Sequence, residues 1–418
     1  MAAGAFSSVL PAKDNSFDFL NMSGKQKLVV FLVVVALVSV VGYFVVGKKE
    51  TRKPIELNNK NQSLPSASKD PANTGPVGAI SGVPCENWNR RPVAVMQPVD
   101  PQARPIAGFS DADMVFEMPN PAEGIFVTRL IGIYQCDTPE EVGSIRSARH
   151  DYINVAKGLD AIFVGWGGSA FAIKKLDEGV IDNIDCNDQG GKSASQYCFR
   201  KERTGLMRIE DTGYIKFAKI LEAAKDFGYR MESKFAGYPH QEDKPLDARP
   251  QGGHLRIGFP GNMEAEYDYD RETNSYKRTW GSVPDTDRTT KERIAPKNIV
   301  VAIAENEQIM ANVDYKARGV QDPWEGLEEW EKVGPRNISG RYNNLQFGDP
   351  WFDSKDTGVA YYYLNGEQKQ GMWKKDKSSA ENKLMFFDEA NNEVKFVPGQ
   401  IWVEVMVPGQ KFEWTPQQ

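Results

Sequence analysis

Apolar positions along this chain fall into one uninterrupted block near the N-terminus and, far beyond it, many short periodic segments. The block is residues 28–47, LVVFLVVVALVSVVGYFVVG, without a charge, Asn, Gln or Pro. As a helix rising ~1.5 Å per residue it covers roughly the ~30 Å hydrocarbon core of a bilayer and satisfies its own backbone hydrogen bonds. A buried core helix would keep a polar face, and this run offers only Ser39 and Tyr43. A cleaved signal peptide fits less well, because the apolar region is too long and KKETRKP follows it with no small-x-small site. The expectation is an uncleaved transmembrane anchor over 28–47, with 1–27 as a cytoplasmic tail.

Residues 48–83 turn to Pro, Ser, Asn, Gly and Lys with no apolar repeat. Such a stretch cannot offset its ordering entropy by burial and reads as a flexible tether. Beyond it, short apolar runs predict strands over 92–96, 114–118, 126–134 and 161–166. A 3.6-residue spacing predicts helices over 147–158 and 214–227; in the second, Phe217, Ile220, Leu221, Ala224 and Phe227 share a face and Gly228 stands at the C-cap. After His254 the pattern becomes strand-rich, over 264–270, 275–280, 298–304, 359–364, 385–387 and 401–407, with a hairpin turn at Asn365–Gly366. The expected fold is a mixed α/β (layered α+β sandwich) part over 84–235 and a mostly β part over 236–418, preceded by one transmembrane helix.

Composition changes this picture only at the margins. A formal net charge of -6 argues against a nucleic-acid coat protein. Four cysteines, Cys85, Cys136, Cys186 and Cys198, all lie beyond the anchor and suit two disulfides in an oxidising compartment, the close pair Cys186 and Cys198 being the favoured one. Flanking charge points the other way. Lys13, Lys25 and Lys27 precede the anchor, whereas Lys48, Lys49, Arg52, Lys53 and Lys60 follow it, which by itself would keep the C-terminal part in the cytoplasm. The outward orientation is still preferred, since the N-terminal tail has no domain-forming pattern and large domains translocate despite flanking charge. The predicted location is the cell membrane, single-pass, with the C-terminal part outside the cytoplasm.

Several phrases carry a resemblance. RPVAVMQPVDPQARPIAGFSDADMVFEM, then GIFVTRLIGIYQ and VGSIRSARHDYINVAKGLDAIFVGWGGS, resemble the N-terminal region of the YerB-like family, bacterial envelope proteins often made as lipoproteins. YDYDRETNSYKRTWG, IAPKNIVVAI, GRYNNLQFGDPWFDSKDTGVAYYYLNGEQKQGMWKK and VPGQIWVEVMVPGQ agree in order with its C-terminal region. The match spans about 89–408, with GSIRSAR its most specific phrase. It implies a layered αβ fold and an extracytoplasmic location, and supplies no reaction. This chain departs from the family in lacking a lipid-accepting Cys near its N-terminus, and in having Pro284–Asp285 where relatives tend to show a His after a Pro.

Chemistry is sparse. Arg129, Arg146, Arg149 and His150, with Ser144 and Ser147 among them, form the densest polar group. Guanidinium forks fit carboxylates and phosphates, and a helix over 147–158 extended by a turn would put Arg146 and Arg149 on one face. The candidate ligand set is Arg129, Arg146, Arg149, His150, Glu117 and Ser169. The alternative is that these arginines pair with Asp111, Asp113, Glu117 and Glu123 and tie the fold together. Gly165-Trp166-Gly167-Gly168-Ser169 runs from a strand into a helix, where free N–H groups can hold an anion, although such glycines more often serve backbone geometry. Three histidines without H-E-x-x-H spacing predict no metal site, no cofactor is expected, and G-x-S-x-G is absent. Most of Trp324, Trp330, Trp351, Trp373, Trp402 and Trp414 are expected in the core. Two readings follow: a non-catalytic module engaging an anionic wall polymer or an envelope protein, or a wall-active hydrolase using paired carboxylates. Convergence of Asp111, Glu117 and Glu123 with Arg149 in an open pocket would favour the second.

Overall fold

A computed structural model describes residues 75–120, 127–259, 263–327, 342–347 and 356–417. The expected anchor at 28–47 and most of the expected tether lie outside the described residues. Among the described residues no helix is long and apolar enough to cross a membrane.

The chain opens with strands β1 (Val93–Pro98), β2 (Met114–Pro119), β3 (Thr128–Tyr134) and β4 (Glu141–Gly143). Helix α1 (His150–Gly158), β5 (Ile162–Gly165), helix α2 (Ala170–Asp177) and β6 (Asn183–Asp185) follow, then β7 (Cys198–Arg200), β8 (Gly213–Lys216) and helix α3 (Phe217–Asp226). The rest is strand: β9 (Gly252–Ile257), β10 (Ala265–Asp270), β11 (Ser275–Trp280), β12 (Val283–Pro284), β13 (Asn298–Ile303) and β14 (Asn306–Gln308). Last come β15 (Asn343–Leu345), β16 (Thr357–Leu364), β17 (Glu367–Lys374), β18 (Met385–Asp388), β19 (Ile401–Met406) and β20 (Phe412–Gln417).

Ten strands form one sheet in the order β18-β17-β16-β13-β19-β2-β3-β1-β5-β6. Its N-terminal α/β half and its β-rich C-terminal half join edge to edge where β19 lies parallel to β2. A second sheet runs β12-β11-β10-β9-β20. The central strands are buried on both sides, which is why they read as continuous apolar runs. On one face Ala94, Met96, Phe116, Ile133 and Val403 share a core with Tyr152, Ile153 and Ala156 of α1 and Leu176 of α2. On the other, Val93, Val95, Val115, Ile299 and Trp402 pack with Ile220 and Ala224 of α3 and with Leu255, Tyr267 and Tyr276 of the five-stranded sheet. The result is a layered sandwich with the large sheet in the middle.

Most expected elements stand within a few residues of their predicted limits, and two differences matter. The helix expected from 147 begins at His150, because the residues before it are extended and bonded sideways: Ile145 N donates to Gly213 O (2.8 Å), Arg146 N to Met96 O (2.8 Å) and Ala148 N to Gly167 O (2.7 Å). Arg146 and Arg149 therefore do not share a helix face. The helix expected from 214 begins at Phe217, since Tyr214 is taken by β8 and pairs with Gly143 of β4 and Phe199 of β7. Asn365 and Gly366 adopt φ of 53° and 75° and close the β16–β17 hairpin, and Gly228 at φ 73° ends α3.

Both disulfides, Cys85–Cys136 and Cys186–Cys198, are formed. Near the first, the His240 imidazole is packed against Gly82 and faces Ile80 O at 3.1 Å. Burial pulls its pKa from 6.5 to about 4. The unfolded chain takes up this proton first, so stability is lost as pH falls from 6.5 towards 4, by about 3 kcal/mol at 1.36 kcal/mol per pKa unit. Urea midpoints between pH 7 and pH 4 are expected to fall less in His240→Gln than in the wild type.

Candidate functional site

Strands β1, β5 and β6 are mutually parallel, β2, β19 and β13 likewise, and antiparallel β3 between β1 and β2 gives all six the same direction. Their carboxyl ends lie along one edge of the sheet, the side on which open α/β sheets present ligand crevices. Arg129, near the start of β3, is paired with Pro98 and Met118 at the ends of β1 and β2, and so stands on this edge. The extended segment that delivers Arg146 and Arg149 crosses the same edge, bonded to Met96 O and Gly167 O.

Arg146 is held loosely by two carboxylates, Asp100 at 3.3 Å and Asp211 at 3.5 Å. Both are held more closely by Arg208, at 3.0 and 2.9 Å, completing a quartet of two guanidiniums and two carboxylates at the rim. Arg129 is different. Only 8 % exposed, it donates through Nη1 to Ser147 O (2.8 Å), and no described carboxylate forms an ion pair with it. Burial first, then the neighbouring Arg146 charge, lowers its pKa to about 10, still well above neutrality. Asp100 and Asp151 offset part of this without pairing with it, and an anion with oxygen acceptors at bonding distance would relieve the remaining cost of the nearly buried cation.

The other expected ligands divide. Arg149 is the N-cap residue of α1 and donates to Ala148 O (2.8 Å), while His150, fully buried, meets the Phe171 ring edge-on at 5.7 Å. Ser169 is the N-cap of α2, its hydroxyl accepting from Ala172 N (3.4 Å). The glycine-rich turn is already supplied with an anion by the protein: the Asp185 carboxylate accepts from Gly167 N (2.7 Å), Asn187 N (3.0 Å), Gln189 N (2.7 Å) and Gly190 N (3.0 Å).

Glu117 lies at the same end of β2, one residue before Met118, but on the opposite face, the one turned to the five-stranded sheet. Its Oε2 accepts from Arg278 Nη2 (2.5 Å) and its Oε1 from Thr128 Oγ1 (2.5 Å). Arg278 also pairs with Asp285, receives no competition from solvent, and donates through Nε to the Tyr267 hydroxyl (2.9 Å). Asp285 is further paired with Arg104 at 2.6 Å and is held below the usual carboxylate range by these two arginines against the effect of burial. Glu404 of β19, the register partner of Glu117, completes the cluster. Asp111 instead lies near Asp287, and Asp113 accepts from Ser81, Gln135 N and Cys136 N. Glu123 lies outside the described residues. Neither Asp111 nor Glu117 converges with Arg149, so the arrangement that would favour a hydrolase is not formed by the described residues.

Sequence reading missed the rim quartet and the Arg278 cluster. A signal for the second was available: Glu117 in MVFEMP and Glu404 in IWVEVM are lone carboxyls inside otherwise apolar strands, positions that require a buried partner. The tryptophans behave as expected where described, Trp373 and Trp402 being fully buried; Trp330 and Trp351 lie outside the described residues.

Residues 80–230 match the family model described as Protein of unknown function (DUF3048) N-terminal domain, and residues 255–323 with 337–403 match the DUF3048 C-terminal domain. The chain belongs to the DUF3048 family. A member described as "Putative lipoprotein YerB" from Bacillus subtilis (strain 168) is 34% identical over 230 residues, 53% of this chain and 64% of that relative. This DUF3048 chain thus aligns with less than two thirds of that relative's length. A crystal structure of the YerB protein from Bacillus subtilis superposes with a TM-score of 0.62, covering 81% of this chain and 99% of that one at 23% identity, which shows a common fold. The resemblance expected from GSIRSAR and the C-terminal phrases is therefore real, and the mixed α/β and β-rich halves are those of the family.

Proposed function

We propose that this DUF3048 protein is a membrane-tethered extracytoplasmic binding module that captures an anionic group, a phosphate or carboxylate of an envelope polymer or envelope protein, on the carboxyl-end edge of its large sheet. The single observation that carries the reading is Arg129, nearly buried, bonded to Ser147 O and in no ion pair with a described carboxylate, Asp100 and Asp151 acting on it only from further away. Residues 28–47 serve as the bilayer anchor and residues 48–74 as the tether, which ends earlier than the expected 83 because Ile80 is buried in the core and Ser81 is bonded to Asp113. Apolarity and length support the anchor, the two disulfides support an oxidising compartment, and the relative's description as a lipoprotein agrees with a membrane-associated envelope location. Binding rather than hydrolysis is favoured because Glu117 is sealed in the Arg278 cluster and Asp111 lies elsewhere.

The test follows the arginine Nε–Hε resonances of the full chain while inorganic phosphate, sulfate or acetate is added. Arg129 is expected to shift with saturation, and Arg129→Gln to weaken binding ~10- to 100-fold, the loss of one charge-assisted contact. Arg129→Lys keeps the charge but not the fork, and is expected to recover only part of the affinity. Unchanged binding in a folded Arg129→Gln protein, or no response of Arg129 to any of the three anions, refutes the reading.

A further inference from the structure

We infer that Glu404 is a proton-binding site built into the contact between the two main sheets, holding its proton at neutral pH and loosening that contact when the proton leaves at alkaline pH.

The geometry assigns the proton. Two guanidiniums, Arg104 and Arg278, meet three carboxyls, Glu117, Asp285 and Glu404, in a region closed to solvent. Charge balances with two carboxylates and one neutral acid. Asp285 is paired with both arginines, and Glu117 is contacted by Arg278 and Thr128. Glu404 is the least supported: Arg278 Nη2 is 3.7 Å from its Oε1, the Tyr267 hydroxyl donates to that oxygen, and its Oε2 has no hydrogen-bond partner. Arg278 Nε already donates to the Tyr267 oxygen at 2.9 Å, so the phenol proton is committed to Glu404 Oε1 and the carboxyl's own proton belongs on Oε2. An unpartnered O–H in this setting costs far less than an unpartnered anionic oxygen.

The position makes protonation consequential. Glu404 and Glu117 come from adjacent parallel strands of the ten-stranded sheet, Tyr267 and Arg278 from β10 and β11 of the five-stranded sheet, and Asp285 from just after β12. Arg104, from the loop after β1, stacks on Trp280 at 3.9 Å, and Arg278 stacks on Trp402 at 4.6 Å. Register-matched like charges repel, and only one fork lies between them. Loss of the Glu404 proton adds an uncompensated negative charge to this layer, and Arg278 cannot serve both glutamates at hydrogen-bond distance without yielding one. Burial and the neighbouring Glu117 raise the Glu404 pKa from 4.5 to about 8, in the same direction as the geometry. The unfolded chain gives up this proton near 4.5 and the folded chain holds it, so the contribution to stability declines as pH rises from 4.5 through about 8.

The experiment is infrared spectroscopy of the full chain carrying carbon-13 at glutamate side-chain carboxyls, with urea midpoints measured in parallel. At pH 7 a protonated-carboxyl C=O band is expected in the wild type and not in Glu404→Gln; the band is expected to fade as pH passes about 8, and the wild-type urea midpoint to carry a fall between pH 4.5 and 8 that levels off above it. Glu404→Gln, which copies the neutral acid, is expected to lack this fall between pH 4.5 and 8. The inference is overturned if the wild type shows no such band at pH 7, or if Glu404→Gln retains the band or the fall between pH 4.5 and 8. Should Glu404→Gln fail to fold, Tyr267→Phe decides: removal of its hydrogen bond must move the band's frequency and titration midpoint, and an unmoved band refutes the assignment.

Discussion

Arg278→Met is expected to remove most of the protein's stability at pH 7. Arg278 is fully buried, and its fork contacts Glu117 and Asp285 while its Nε supports Tyr267. Methionine fills a similar volume but leaves two carboxylates in a closed apolar layer with only Arg104 to compensate. Breaking a buried ion pair from one side typically costs ~3–5 kcal/mol, and here one substitution breaks two. The total stability of a folded domain is only ~5–15 kcal/mol, so a large unfolded fraction is expected. The carboxyls left behind accept protons more readily than in the unfolded chain, so the penalty should shrink on acidification. Urea denaturation at pH 7 and pH 5 checks both points. A loss below ~1 kcal/mol at pH 7 would mean that the cluster contributes little net stability, as some buried pairs do. Arg278→Lys is expected to recover only part of the loss, because one ammonium cannot reproduce the fork shared among three acceptors.

Removal of the Cys85–Cys136 disulfide is expected to be the next largest effect. The two cysteines are 51 residues apart and tie the segment before β1 to the chain just after β3. In the loop-entropy account such a closure contributes ~4 kcal/mol, against ~3 kcal/mol for the Cys186–Cys198 closure of 12 residues. The segment so tied carries Ser81, which donates to Asp113 Oδ1 (2.5 Å), and Ile80, whose carbonyl faces His240. Cys85→Ser with Cys136→Ser is therefore expected to lower the global unfolding midpoint and to expose the His240 ring to solvent, visible as a rise in its pKa towards 6.5. Cys186→Ser with Cys198→Ser should leave His240 unchanged. Equal effects of the two double substitutions on His240 would contradict this assignment. Thiol alkylation in intact cells adds a check on location: both pairs should be protected if the folded part resides outside the cytoplasm.

The elements were legible where local pattern and burial agree. The strand from Ser275 to Trp280, the Asn365–Gly366 turn and the end of α3 at Gly228 each follow from residues within a few positions of one another. Legibility failed where distant backbone groups compete for a segment. Arg146 sits in a stretch with helical spacing, yet Met96 O and Trp166 N claim its backbone and hold it extended. The helix-face argument for Arg146 and Arg149 fails for that reason, although both still reach the same sheet edge by another route. Ser169 and the glycine-rich turn are held by contacts that the sequence did not show. Ser169 caps α2, and the anion that reaches the Gly167 backbone is the carboxylate of Asp185, 18 positions further on.

By itself the sequence determined the apolar block at 28–47, the strand and helix segments, the close pair Cys186 and Cys198 as a candidate disulfide and the family resemblance, because each is written in local spacing, length or a contiguous phrase. Only the tertiary structure decided which charges are neutralised. Arg129 and Arg278 are both arginines in or beside apolar strands, and nothing in their neighbours distinguishes them. Arg278 meets Glu117, 161 positions away, and Asp285, whereas Arg129 meets a backbone carbonyl and a second arginine. Ion pairing depends on separations of a few ångströms between residues far apart in the chain, and those separations exist only once the two sheets have closed on one another.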